Sequence, residues 1–347
     1  MFGSLPGFMR LRVYEGDITS PDLGIRPVEL AALKKTRFTL WHLAADLSFA
    51  PVRSAEAERT NEGGTRQVVA FANRHARKLI HMSTAYVCGD TVGLVREDGF
   101  AREPRFRNHY ERSKHAAEAV VRKDCVVPYL VFRPSIVIGD AYEGKAEGCT
   151  FGYYRFAFML HILHEWMRTV FEKRPVAALL LRLLGTRVNA EMIRAPWLVL
   201  PYPRDGVVDM VPVDYVVRSL LEIAARRDAW QLKTFHLTQV RPLESIVVMR
   251  AALEDFNIAG AHYVRVSPRV FGVILHTFYV LLFPLRQYTK SVFWYVPYVL
   301  RPYRFDHAHT ESLGVPPAPA MTRASIGRIN AYAKAHVFPG IHVERLF

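Results

Sequence analysis

The sequence predicts an α/β protein in which helices cover both faces of a doubly wound, mostly parallel sheet, followed by a mostly helical lobe. Short apolar segments alternate with helical segments through the first part of the chain, which is typical of a parallel sheet. After Gly139 the glycines at 144, 148 and 152 mark loops, and long apolar helical segments then replace the alternation. The 347 residues suffice for one large core with a smaller lobe.

Five apolar segments have the length and composition of buried strands. The predicted strands are residues 11–14, 38–43, 79–82, 129–132 and 235–238. Apolar residues at helical spacing predict helices between them and beyond them. The predicted helices are residues 65–78, 110–123, 156–171 and 176–184, and residues 209–223 are predicted as a strand that continues into a helix.

Composition and charge restrict the function classes. Lys and Arg exceed Asp and Glu by 14, which favours anionic partners such as nucleotides, coenzyme A thioesters or acidic membrane surfaces. The basic residues are scattered and no nucleic-acid-binding motif accompanies them, so we expect no nucleic acid partner. The three cysteines, Cys88, Cys125 and Cys149, form no CxxC pair, which indicates neither a metal site nor a disulfide framework and fits a cytoplasmic protein.

The segment from 270 to 285 is almost wholly apolar but contains His276. It is about 16 residues long, whereas a membrane-spanning helix needs about 20. We predict a buried helix or the wall of an acyl pocket. The alternative is peripheral attachment to a membrane, because Arg269, Arg286, Lys290 and Arg301 surround the segment and attract anionic headgroups.

Tyr110 and Lys114 are the strongest candidates for catalysis. Four residues apart on a predicted helix, they share one face, where both can act on one substrate atom. A neighbouring ammonium stabilises a phenolate, so the lysine is expected to lower the pKa of Tyr110. Upstream, Ser83 and Thr84 end a predicted strand, and ligands of parallel sheets bind beyond the carboxyl ends of strands. The Thr84 hydroxyl is therefore placed to donate a hydrogen bond to a carbonyl oxygen.

In order and spacing, these segments resemble the extended short-chain dehydrogenase/reductase superfamily. The matching motifs are WHLAA at 41–45, NEGGT at 61–65, ST at 83–84, YERSK at 110–114, RPSIVIG at 133–139 and VDMVPVDYV at 208–216. Within the superfamily, GDIT at 16–19 and YRFD at 303–306 are similar to the fatty acyl-CoA reductase and thioester reductase branch. The resemblance covers most of residues 11–240 and implies a Rossmann-like fold.

The resemblance assigns roles to individual residues. It implies that Tyr110 is the proton donor or acceptor, that Lys114 assists it and binds the nicotinamide ribose, and that Thr84 orients the carbonyl group. It also implies that eight further residues contact the cofactor. These are Asp17 and Ile18 at the adenine, Leu43, Ala44 and Ala45 along the cleft, and Pro134, Ser135 and Ile136 at the nicotinamide.

Members of this superfamily place a strand, a glycine-rich turn, a helix and a second strand ahead of the GDxT-like segment, and only about ten residues precede residue 11 here. Gly3-Ser4-Leu5-Pro6-Gly7 does not replace that turn, because no strand precedes it and proline lacks an N–H donor. We therefore expect residues 1–140 to form an incomplete nucleotide-binding domain that binds a pyrophosphate weakly. We favour a natural start upstream over a degenerate remnant.

Residues 141–347 are predicted to form the substrate lobe, with 206–240 returning to the core sheet. The predicted function is NAD(P)H-dependent reduction of a fatty acyl thioester or the derived aldehyde, because the apolar lobe suits an acyl chain better than a sugar. The resemblance favours NADP over NAD. Two alternatives stay open, a dehydrogenase or epimerase acting on a steroid or nucleotide sugar and a catalytically silent scaffold. A homodimer and a monomer are both compatible with the sequence.

Overall fold

The computed structural model describes residues 11–91, 93–101, 104–149, 151–189, 191–267, 269–271, 273–274, 294–299 and 302–339. The strands are β1 Phe38–His42, β2 Ala76–Met82, β3 Leu94–Val95, β4 Tyr129–Pro134, β5 Ile136–Ile138, β6 Arg187–Val188, β7 Ile193–Arg194, β8 Val199–Pro203, β9 Val207–Val208, β10 Met210–Pro212, β11 Thr234–Leu237, β12 Leu243–Glu244, β13 Ile258–Ala259, β14 His262–Val266 and β15 Arg304–Phe305. The helices are α1 Pro27–Leu33, α2 Ser54–Glu58, α3 Gly64–His75, α4 His109–Asp124, α5 Tyr153–Lys173, α6 Pro175–Leu183, α7 Val213–Ala225, α8 Ala229–Leu232, α9 Ser245–Asp255, α10 Ala308–Ser312 and α11 Arg323–Tyr332.

The central sheet has four parallel strands in the order β1-β2-β4-β11. Its two faces carry separate apolar clusters, because alternate residues of a strand point in opposite directions. On one face Leu79 and Val131 pack against α3 and α4, and on the other Ile80 and Phe132 pack against α7. All six residues of β4 are buried, as expected of a central strand in a sheet covered on both faces.

Four of the five predicted strands are confirmed as β1, β2, β4 and β11, and the predicted α/β fold is confirmed with them. The strand predicted at 11–14 is wrong. Leu11 and Val13 are 61% and 84% exposed, and the described residues offer that segment no strand to pair with. Apolar composition alone does not make a strand, since a strand needs a hydrogen-bonding neighbour.

The predicted helices are also observed, with one difference at a boundary. The helix predicted from 65 to 78 ends at His75, because Ala76 already pairs with Phe38 in the sheet. The helix also continues upstream of Thr65 as a wider turn over Arg59–Gly63. Thr65 consequently lies inside the helix, where its hydroxyl donates to the Asn61 carbonyl oxygen at 2.5 Å.

A second core lies in the lobe formed by α5, α9 and α11. Tyr154, Ala252 and Ile326 are among its buried residues, and each is no more than 1% exposed. The chain also returns to the first core after residue 302. β15 pairs with β3, and Leu313 and Val315 join the cluster under α7. β11 thus completes the central sheet, and the segment 304–315 adds a strand beside β3 and two apolar residues to the cluster under α7.

Among the described residues, no helix is both long and apolar enough to cross a membrane. Most of the apolar segment from 270 to 285 lies outside the described residues, so its predicted burial or membrane contact stays a prediction.

Candidate active site

The candidate site lies at the carboxyl edge of the central sheet. Because β1, β2 and β4 run parallel, the residues that follow them meet at one edge. Ser83 and Thr84 follow β2, and the Ser83 N–H donates to the Phe132 carbonyl oxygen at 2.7 Å. The Thr84 hydroxyl donates to the Pro134 carbonyl oxygen at 3.4 Å. The end of β2 is therefore held against the end of β4.

Helix α4 delivers the tyrosine and lysine to this edge. Asn108 caps the helix, since its side-chain oxygen accepts a hydrogen bond from the Glu111 N–H at 3.0 Å. Tyr110 follows in the first turn and hydrogen-bonds the Thr84 hydroxyl. Lys114 lies one turn further on, and its Nζ donates to the Met82 carbonyl oxygen at 2.7 Å. The structure therefore brings all three predicted catalytic residues together.

The electrostatics of Tyr110 differ from the expectation. Burial raises the pKa of Tyr110 to about 12, and the hydrogen bond with Thr84 offsets only part of that effect. Burial also lowers the pKa of Lys114 to about 8. The expected lowering of the tyrosine pKa by the lysine is thus not observed, because burial dominates for both groups. At neutral pH Tyr110 is protonated and can serve as a proton donor.

Two buried histidines lie beneath Lys114, and sequence reasoning did not identify them as site residues. The rings of His42 and His81 are 5.1 Å apart, and His42 Nε2 is 2.9 Å from the Thr65 hydroxyl oxygen. Burial and the Lys114 charge lower the pKa of His42 to about 3 and that of His81 well below its usual value. Both rings are neutral at physiological pH, so Lys114 carries the positive charge among these three side chains.

Asn61 fixes the loop after β1 relative to α4. Its side-chain oxygen accepts from the Asp46 N–H at 2.7 Å, and its amide nitrogen donates to the Asp46 carbonyl at 3.0 Å and to the Ser113 hydroxyl at 2.9 Å. A buried amide with both ends engaged holds its neighbours firmly. The NEGGT motif contained this residue, but only the three-dimensional contacts show that it positions the helix of Tyr110.

The predicted cofactor residues lie in three places: residues 43–45 follow β1, residues 17 and 18 lie in a turn ahead of α1, and residues 134–136 lie at the end of β4 and the start of β5. Leu43 and Ala44 are exposed and Ala45 is half-buried, at the carboxyl end of β1. The Asp17 carboxylate accepts hydrogen bonds from the Thr19 N–H and hydroxyl, both at 2.8 Å, and these bonds lower its pKa. Ile18 packs so close to α3 that a Cβ on Gly64 would come within 2.8 Å of its Cδ1 atom. A side chain at position 64 would therefore displace the Ile18 side chain.

On the other side of the edge, the three residues after Arg133 differ in accessibility. Pro134 and Ser135 are buried, and Ile136 is half-buried. The Ser135 hydroxyl donates to Asp209 Oδ1 at 2.7 Å, which also accepts from the Gln239 N–H at 3.0 Å. The Ser135 side chain therefore holds Asp209, and the second carboxylate oxygen, Oδ2, has no hydrogen-bond partner among the described residues.

Because the Asp209 carboxyl is buried and one of its oxygens lacks a partner among the described residues, we predict that the free energy of unfolding depends on pH. Burial raises its pKa from 3.8 to about 7. Between these values the folded protein holds one more proton than the unfolded chain, so the free energy of unfolding falls as pH rises through this window.

Asp209→Asn retains the accepting oxygen but cannot ionise. We expect the variant to match the natural protein near pH 4 and to exceed its free energy of unfolding by at least about 1 kcal/mol above pH 7. Urea unfolding across this range measures the difference, and parallel curves would refute the assignment.

An aromatic wall stands beside Tyr110. It consists of Phe49, Tyr295 and Tyr298, which come from distant segments of the chain. The Phe49 ring centroid lies 4.9 Å from that of Tyr110, 4.7 Å from Tyr295 and 5.7 Å from Tyr298. Asn108 donates to the Tyr298 hydroxyl at 2.9 Å, which anchors the wall to the start of α4. No local sequence signal connected these residues with the site.

The residues at this edge fit two ends of a nicotinamide nucleotide. The buried ammonium of Lys114 has three N–H groups and donates one of them to the Met82 carbonyl oxygen. It can therefore also donate to a ribose hydroxyl. The exposed Leu43 and Ala44 offer small or apolar surface along the sheet edge. For the adenine end, the turn at Asp17 and Ile18 stays a prediction from the resemblance. Among the described residues, no glycine-rich turn opens a helix at this edge to bind the pyrophosphate.

Comparison with known proteins agrees with this geometry. Residues 6–220 match the family described as male sterility protein, whose defining domain binds NAD. The chain is 29% identical over 139 residues to the hybrid PKS-NRPS synthetase ucsA from Acremonium sp., a match that covers 38% of this chain and 4% of that protein. The chain thus spans a small fraction of the length of this curated relative.

Two solved structures show the same fold. The terminal R domain of the myxalamid PKS-NRPS pathway has a TM-score of 0.67 and 19% identity, with coverage of 93% of this chain and 75% of that one. RMD from Pseudomonas aeruginosa, complexed with NADPH, has a TM-score of 0.55 and 15% identity over 94% and 89% of the two chains. The chain belongs to the male sterility protein family.

Proposed function

We propose that this protein reduces a fatty acyl thioester, or the aldehyde derived from it, at the expense of NADPH or NADH. The observation that carries the proposal is the Tyr110 phenol, hydrogen-bonded to Thr84 one helical turn from the buried ammonium of Lys114. This arrangement can hold and protonate a carbonyl oxygen. The hydrogen-bonded pair lies at the sheet edge where ligands of parallel α/β proteins bind.

The residues of the chain have separate roles in the proposed reaction. A bound dihydronicotinamide supplies the hydride that forms a C–H bond at the carbonyl carbon. Thr84 turns its single hydroxyl hydrogen from the Pro134 carbonyl to the substrate carbonyl oxygen, and Tyr110 transfers its phenolic proton to that oxygen as charge develops there. Lys114 stabilises the phenolate that remains. With a thioester, collapse of the resulting hemithioacetal breaks the C–S bond and releases the aldehyde and a thiol.

The aromatic wall supports an acyl substrate over a sugar. Phe49 contributes no hydrogen-bonding group, and the hydroxyl of Tyr298 is engaged by Asn108. A sugar presents several hydroxyls that lose water on binding and need partners in return, whereas an acyl chain needs only apolar contact. NADP remains our proposal for the preferred nucleotide, on the resemblance of GDIT and YRFD to the acyl reductase branch.

The decisive experiment compares substrates. Oxidation of NADPH or NADH is followed at 340 nm with a long-chain acyl thioester and with the matching aldehyde, reduction of NADP or NAD is followed at the same wavelength with a hydroxysteroid, and conversion of a nucleotide sugar is followed by chromatography. We expect turnover with the first two and release of one thiol per thioester consumed. Turnover only with the sugar or steroid would establish the alternative enzyme. Nucleotide binding without turnover of any substrate would identify a silent scaffold.

A variant of the aromatic wall tests the acyl site directly. Phe49→Ala removes the ring between Tyr110 and Tyr295 but leaves the proton donor in place. An aromatic contact of this kind contributes about 1 kcal/mol beyond its buried area, so we expect KM for a long-chain thioester to rise about tenfold with a smaller change in kcat. Phe49→Leu should recover part of the loss. Equal losses with short and long chains would show that Phe49 does not contact the acyl group.

A further inference from the structure

Helix α6 presents its large apolar side chains to solvent. Val176, Leu179, Leu180 and Leu183 are 74%, 55%, 59% and 75% exposed, and we call these four residues the α6 leucine face. Their spacing of 3, 1 and 3 residues places them on one side of the helix. The buried side carries Ala178, which is 1% exposed. The helix thus packs on its neighbours through small residues and leaves its bulky ones outside.

Such a surface is unusual for a helix of a globular protein. An amphipathic helix ordinarily turns its apolar stripe toward the core, because burial of a leucine side chain stabilises the fold by about 2 kcal/mol. The apolar surface continues at the end of the helix with Leu184, which is 57% exposed. A contiguous apolar patch of this kind marks a site of contact with another molecule.

Basic side chains surround the α6 leucine face. Arg174, Arg182 and Arg187 are all exposed, at the beginning, near the end and shortly beyond the end of α6. None of the three forms an ion pair with another described residue. Two acidic side chains lie nearby along the chain: Glu172, which is 3.7 Å from Arg168 Nη2, and the exposed Glu191, so the three arginines outnumber the one acidic side chain that Arg168 does not balance. The rim of the patch is therefore positive.

We propose that the α6 leucine face binds the surface of an anionic lipid bilayer, with the leucines in the interface and the arginines at the headgroups. The combination of exposed leucines on one side and arginines at the border is the pattern of interfacial helices. A symmetric contact with a second copy would bring two sets of arginines together, so the charges disfavour it. The proposal does not depend on the reaction catalysed, because α6 contributes no residue to the site at the sheet edge.

Vesicle flotation tests the proposal with the full-length protein. Vesicles of phosphatidylcholine alone are compared with vesicles that contain about 30% phosphatidylglycerol, at low and high salt. We expect binding to the anionic vesicles that weakens at high salt, since screening shortens the reach of the arginines. Leu179→Glu/Leu183→Glu should reduce the affinity at least tenfold. Arg182→Gln/Arg187→Gln should reduce it about fivefold per cation removed.

A matched control places two glutamates elsewhere on the surface. Val28 and Val126 are 84% and 80% exposed on other elements, so Val28→Glu/Val126→Glu makes the same change in charge. We expect this variant to bind anionic vesicles within about twofold of the natural protein, because screening limits the effect of distant charges. All variants should share the urea midpoint of the natural protein, because every altered side chain is exposed.

Three results would overturn the proposal. The first is absence of the natural protein from anionic vesicles at low salt. The second is equal loss of binding in the leucine variant and in its control. The third is binding of a soluble acidic acyl carrier protein, lost in the leucine variant, without any vesicle binding, which would assign the face to a protein partner instead.

Discussion

Tyr110→Phe is expected to lower kcat for thioester reduction by about 100-fold or more, because a positioned general acid contributes at least that factor. The phenyl ring keeps its contact with Phe49, whose centroid is 4.9 Å away, so only the proton donor and its hydrogen bond with Thr84 are lost. Stopped-flow measurement of the hydride transfer step gives the effect on chemistry separately from product release. KM for the thioester should change much less than kcat.

A matched tyrosine supplies the control for this prediction. Tyr142 is 79% exposed, so Tyr142→Phe should leave kcat within about twofold of the natural enzyme, as for surface substitutions in general. Lys114→Ala should be comparably damaging to kcat. Near-normal turnover by Tyr110→Phe would contradict the role of α4 in catalysis, whereas a lowered urea midpoint in that variant would point to a defect in folding.

Arg133→Met is expected to have the largest effect on stability, a loss of about 3–5 kcal/mol in the free energy of unfolding. The Arg133 and Glu118 side chains are 1% and 0% exposed, and Arg133 Nη2 donates to Glu118 Oε1 at 2.6 Å. Loss of the arginine leaves the charged Glu118 carboxylate in the core without the partner that offsets most of the cost of its burial. The arginine, more than any other side chain, keeps the pKa of Glu118 far below its usual value, so the buried acid stays charged throughout the physiological range.

Two further variants make the interpretation specific. Arg66→Met removes the partner of Glu62 at the surface, where the side chains are 56% and 36% exposed, and should cost less than about 1 kcal/mol. Arg133→Met/Glu118→Met removes both buried charges and should cost much less than the sum of the two single changes. Urea unfolding at pH 7 measures five proteins: the natural protein, Arg133→Met, Glu118→Met, the double variant and Arg66→Met. Additive costs in the double variant would exclude a direct coupling between the two residues.

The fold was largely predictable because its strands and helices carry strong periodic signals. Residues 129–132 are all apolar, residues 79–82 are apolar except for His81, and both segments form strands that are mostly buried. Residues 11–14 have similar composition but no strand beside them, and periodicity does not report pairing partners. The return of Leu313 and Val315 to the first core was not predicted, since no local pattern records which of two cores a segment joins.

The proximity of the candidate catalytic residues was predictable for a related reason. Tyr110 and Lys114 are four apart on one helix, so their proximity is a property of the sequence itself. Thr84 follows a strand whose end lies at the ligand-binding edge. Phe49, His81 and Tyr298 come from segments far apart in the chain, and their meeting depends on tertiary packing. The raised pKa of Tyr110 was likewise not predictable from the sequence, because it depends on burial rather than on residue spacing.

The return of the chain to the first core after residue 302 constrains when the protein can fold during its synthesis. β15 pairs with β3, and both oxygens of Glu97 accept backbone N–H groups, one from His236 at 2.8 Å and one from His309 at 2.6 Å. The pairing of β3 with β15, and the second hydrogen bond to Glu97, therefore cannot form on the ribosome until residues 304–309 have been synthesised. Contacts between residues so distant in sequence form slowly, and the apolar residues that they cover stay exposed meanwhile. We expect the nascent chain to depend on chaperones until its last third has emerged.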